Sequence, residues 1–121
     1  ISTAKNGFGE KINSFKTPRG WHYIRVIIGK NNPVDTYYKN RRATKDLNDI
    51  SGRILWLCGL ELFNHLPSRH SMLRYIYIHG TNNSYLKTPI SQGCINMRNI
   101  DIKTLTEVIP PYCKIFIDDE E

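Results

Sequence analysis

Apolar positions in this chain gather into short runs rich in aromatic and β-branched residues, each closed by glycine or proline. Residues 21–28, from Trp21 to Ile28, form one such run before Gly29 and predict a strand. Residues 53–60 are almost continuously apolar after Arg53, and their length and Gly59 favour a buried strand over a helix. Residues 72–79 alternate, with Tyr75 and Tyr77 against Ile76 and Ile78, and stop at Gly80. That alternation predicts a strand with His79 at its C-terminal end. Residues 113–117 predict a last strand. Only residues 99–108 show helical spacing, with Asn99 as cap, apolar residues at 102, 105 and 108–109, and Pro110-Pro111 as the stop.

The connecting segments are polar. Residues 1–16 read as a strand end running into a long loop, and Thr17-Pro18-Arg19-Gly20 as a turn, because proline presets one backbone angle and glycine accepts the next. Residues 30–33 make a turn and 34–38 a short strand. Residues 41–51, 65–71 and 81–92 read as loops, and the acidic tail 118–121 as a frayed end. The expected fold is mainly β, with mixed strands and about one α-helix.

Length and composition narrow the class. At 121 residues the chain is expected to be a single domain over 1–121, large enough to bury a core without disulfides. A charged fraction of 23% against 40% hydrophobic excludes a disordered chain. The net charge of +6 favours polyanionic partners: nucleic acid, an anionic membrane, or carboxylate-rich cell wall. The basic residues are scattered, with small clusters at 39–42 and 69–74 and no aromatic-laced basic stretch, so a nucleic-acid module is disfavoured. No apolar run approaches the ~20 residues of a membrane span. The chain opens at Ile1-Ser2-Thr3 with neither Met nor a signal peptide, as expected of a processed or trimmed protein.

Three cysteines, Cys58, Cys94 and Cys113, leave at least one outside any intramolecular disulfide. None has CxxC or CxxH spacing, which argues against a structural zinc site. Cys58 lies inside an apolar run and Cys113 opens a strand, so both read as core residues. Cys94 differs. It follows Gly93 in a polar turn just before the helix, where backbone N–H groups can face a developing oxyanion. His79, fifteen residues upstream at a strand end, is the natural base, and the Gly80 carbonyl can accept its Nδ1–H and set the tautomer. No acidic residue lies between His79 and Asp101, so a Cys-His-carbonyl arrangement fits better than a local Cys-His-Asp triad.

His79-Gly80-Thr81 followed by Ser91-Gln92-Gly93-Cys94-Ile95-Asn96-Met97 resembles the signature of L,D-transpeptidase (YkuD-type) catalytic domains. Thr17-Pro18-Arg19-Gly20 is similar to a turn of those domains, and Ile1-Ser2-Thr3-Ala4 to the strand end before it. The resemblance spans nearly the whole chain. It implies a β-sandwich of mixed strands with a helix, lacking one or two of the family's N-terminal strands. It also implies a peptidoglycan stem peptide as substrate, Cys94 as nucleophile, His79 and Gly80 as its base and orienter, and Ser91, Gln92, Gly93 and Asn96 at the substrate or oxyanion. Gln92 departs from the family, which has a second histidine there. No cofactor, metal or nucleic acid is implied. The protein is expected to be a monomer in the periplasm or cell envelope, where such substrates lie. The alternatives are a non-catalytic cell-wall-binding domain, motivated by Gln92, and a cysteine peptidase of another type.

Overall fold

A computed structural model describes residues 1, 3–66, 70–81 and 93–118. The two longest strands, β1 (Gly20–Ile28) and β4 (Ser51–Gly59), pair antiparallel from His22↔Gly59 to Ile28↔Ile54, with a bulge between Ile24 and Val26. The other edge of β4 pairs antiparallel with β5 (Tyr77–Thr81), and β5 pairs parallel with β6 (Ile95–Arg98). Strand β7 (Lys114–Ile117) adds antiparallel to β1. A small hairpin, β2 (Tyr37–Lys39) with β3 (Arg42–Thr44), joins β4 through Tyr37↔Ser51. The result is an open, mixed sheet with one main helix, α2 (Asn99–Val108), and a single-turn helix, α1 (Leu62–His65).

Successive side chains of a strand point to opposite faces, so β4 feeds two apolar clusters. Leu55 and Leu57 join Ile24, Ile78, Ile95, Ile117 and Ile102 of α2 in the larger one. Ile54 joins Tyr38 and Tyr77 in the second, with Trp56 and Cys94 packed against it. The helix thus covers one face of the sheet. His79 and Cys94 lie toward the other face.

Four local expectations change. Residues 42–44 are not loop but strand: Asn40 and Arg41, both in the left-handed region at φ 49° and 65°, close a tight turn between β2 and β3. Such a turn suits right-twisted strands, and asparagine is among the residues that tolerate its angles. The strand expected from residue 72 begins at Tyr77, because residues 71–75 form turns with Arg74 N–H on the His70 carbonyl and Tyr75 N–H on that of Met72. Residues 62–65 close into α1, so His65 ends a helix where the loop was expected to start. Asn99 is not the cap of α2. Arg98 holds that backbone position, while Asn99 Oδ1 accepts a hydrogen bond from Ser51 Oγ at 2.8 Å and ties the helix to β4.

Candidate active site

His79 lies within β5, buried, on the face away from α2. Its Nδ1 donates to the Gly80 carbonyl at 2.8 Å, which leaves the Nε2 lone pair free to take a proton. Only glycine can supply that carbonyl here, because a Cβ at position 80 would collide with Asn99 Oδ1 and the Ser51 carbonyl. Burial holds the imidazole pKa below its ordinary value, opposed by the Gly80 hydrogen bond and the Asp49 charge. The ring is therefore neutral near pH 7.

Cys94 sits one residue ahead of β6. Parallel pairing sets Ile78 beside Ile95 and His79 beside Asn96, so one step back Cys94 comes beside Tyr77. Sγ accepts from Tyr77 N–H and donates to the Tyr75 carbonyl, both at 3.4 Å. Residues paired in a parallel ladder share a face, so Tyr77, His79, Cys94 and Asn96 all project from the same side of the sheet. Burial pushes the Cys94 thiol up to about 11, with the Tyr77 hydrogen bond and the Arg74 charge pulling the other way. At rest the two groups are a thiol and a neutral imidazole.

The remaining candidates fall unevenly. Gly93 adopts φ 127°, and a Cβ there would press on Ile76 Cδ1 and the Lys16 carbonyl, so this turn needs glycine. Asn96 is 6% exposed, and its Oδ1 has no hydrogen-bond partner among the described residues. Ser91 and Gln92 lie outside the described residues. Trp56 packs edge-on against Tyr77, with ring centroids 5.6 Å apart, and next to Tyr75 at 5.9 Å. Arg41 reaches across from the hairpin turn, its guanidinium 5.2 Å from the Trp56 ring centre and 5.1 Å from that of Tyr75. Its Nη1 donates to Tyr77 Oη at 3.1 Å. Sequence reasoning passed over this aromatic and cationic wall; the alternation of Tyr75 and Tyr77 is the one signal that hinted at it.

A second thiol also has histidines beside it. Cys58, 3% exposed, lies with Sγ 3.9 Å from His65 Nδ1, and the His65 and His70 rings are 4.3 Å apart. One ligand-type atom from each of the three falls within 4.8 Å of the others. His65 Nδ1 is also 2.8 Å from the Gly59 carbonyl, so that nitrogen is already donating and is a poor acceptor for the Cys58 proton. Burial and the neighbouring His65 lower the His70 pKa. The sequence spacing of 58, 65 and 70 follows no regular period, so nothing in the sequence pointed to this group.

No helix among the described residues is long and apolar enough to cross a membrane. No curated protein matches the chain. The family model described as the YkuD L,D-transpeptidase catalytic domain matches residues 1–117. The chain therefore belongs to the L,D-transpeptidase catalytic-domain family and has the cysteine- and histidine-based acyl-transfer activity of that family.

Proposed function

We propose that this protein is a peptidoglycan L,D-transpeptidase in which Cys94 is the nucleophile and His79 its general base, within one catalytic domain acting in the periplasm or cell envelope. The observation that carries the reading is the parallel register of β5 and β6, which gives thiol and imidazole a common face while the Gly80 carbonyl fixes the tautomer. His79 Nε2 takes the Sγ proton as sulfur attacks the carbonyl joining an L-centre to the terminal D-residue of a stem tetrapeptide. The C–S bond forms, and N–H groups around Gly93 and Cys94 hold the oxyanion. On collapse the C–N bond breaks, and the imidazolium returns its proton to the departing amine. A thioester remains. The amine of a second stem peptide then attacks it, His79 takes the amine proton, and the C–S bond breaks to give a cross-link; water in place of the amine gives a shortened tripeptide.

Asn96 Oδ1, buried beside His79, suits a peptide N–H of the bound stem. Arg41 with the Tyr77 hydroxyl suits one of its carboxylates. A second reading makes Cys58 the nucleophile, and the grouping of His65 and His70 around its thiol favours it. One experiment separates the two. Each cysteine variant is incubated with a carbapenem and weighed intact, then given disaccharide-tetrapeptide and assayed for dimer and tripeptide. Cys94→Ala is expected to abolish both the adduct and the products, while Cys58→Ala and Cys113→Ala retain them. An adduct that survives Cys94→Ala and disappears with Cys58→Ala would overturn the first reading in favour of the second.

A further inference from the structure

We propose that Cys58, His65 and His70 form a binding site for a zinc ion, clasping the end of α1 and His70 to the end of β4. The donor set decides the class of ion. One thiolate and two imidazoles suit borderline-soft Zn²⁺ and not Mg²⁺ or Ca²⁺, which take oxygen ligands. The geometry is close to what zinc asks. Tetrahedral Zn²⁺ with ordinary Zn–S and Zn–N bonds sets its donors about 3.5 Å apart. Here one ligand-type atom from each of the three residues lies within 4.8 Å of the others.

Two further observations point to a cation. His70 Nδ1 is buried and has no hydrogen-bond partner among the described residues. A buried nitrogen in that state is costly unless something accepts its proton or takes its lone pair. His65 Nδ1 donates to the Gly59 carbonyl at 2.8 Å, the kind of outer hydrogen bond that fixes a metal-binding imidazole and leaves Nε2 as the donor atom.

The frame beneath the trio is well anchored. Asn64 of α1 accepts from Glu61 N–H at 2.9 Å and donates to the carbonyls of Arg19 at 2.8 Å and Trp21 at 3.1 Å. On binding, the Cys58 S–H proton passes to solvent as the Zn–S bond forms, and water fills the fourth position. The site rests on the proposed function only in that Cys58 must not be the nucleophile.

The test is a titration of chelator-stripped full chain carrying Cys94→Ala with ZnCl₂, against a chromophoric competitor. One equivalent is expected to bind and to raise the melting temperature. His70→Ala in the same background is expected to weaken binding more than the about 10–100-fold typical of losing an outer-shell partner. CoCl₂ provides a second readout that does not depend on stability, because a thiolate ligand gives a sulfur-to-cobalt charge-transfer band that Cys58→Ser must remove. Zinc affinity unchanged in His70→Ala, or cobalt bound without that band, would overturn the site. Because Cys94 is absent from the titrated protein, failure here leaves the acylation result standing, and failure of acylation at Cys94 leaves the zinc titration standing.

Discussion

A thiol held near pKa 11, on the same sheet face as a neutral imidazole, behaves differently from a preformed thiolate–imidazolium pair. Near pH 7 about one molecule in ten thousand carries the thiolate, since each unit between pH and pKa is a factor of ten. In the proposed mechanism the proton therefore leaves as the substrate is attacked, with His79 as its acceptor. Alkylation of Cys94 by iodoacetamide, followed peptide by peptide by mass spectrometry, should rise about tenfold per pH unit from pH 7 to about pH 10. A rate that levels off by pH 8 would mean that the pair is already ionised. At this scale the hydrogen bond from His79 to the Gly80 carbonyl was legible, because the two residues are neighbours in one short segment. The Cys58 group was not. Its three members come from a strand, a helix and the residue preceding a turn, and no local pattern links them.

Among the elements, the crossing of β5 over the start of α2 leaves least room for change. Gly80 lies near the end of β5, where Ser51 of β4 and Asn99 of α2 meet, and a methyl group there would meet the Ser51 carbonyl, Asn99 Oδ1 and Ile102 Cγ2. Gly80→Ala should destabilise the protein by about 1–3 kcal/mol, the usual cost of overpacking, measured as a lower urea midpoint. Because the Gly80 carbonyl also holds His79, the rate of acylation should fall further than the loss of folded protein explains. An unchanged urea midpoint would show that β5 can move aside freely. The elements missed in the sequence share one cause. Alternation at residues 72–76 and polarity at 42–44 are weak local signals, and tight turns overrode them. Ile76 N–H bonds the Ser71 carbonyl in a turn, while Tyr38 and Ala43 pair across a hairpin of otherwise polar residues.

In the molecule as a whole, burial of two histidines makes stability depend on pH. His22 is fully buried, with Nδ1 3.0 Å from the Gly20 carbonyl and Nε2 2.7 Å from Ser71 Oγ. Burial lowers its pKa, opposed by the Gly20 hydrogen bond and the charges of Glu61 and Glu10; burial lowers that of His79 as well. Below the ordinary value of 6.5 the unfolded chain takes up protons that the folded chain refuses, so the folded state loses ground as pH falls. The urea midpoint should be lower at pH 5 than at pH 7, and equal midpoints would mean that water reaches both rings. The amino-acid order by itself determined the strand content, the long helix and the family to which the chain belongs, because side-chain period, helix stops and a short signature are local properties. Which faces those strands turn to one another, and which residues far apart in sequence become neighbours, depended on the parallel register of β5 with β6 and on the packing of α1 against β4. Those are set by burial of both sheet faces at once, a condition that no single segment of the chain contains.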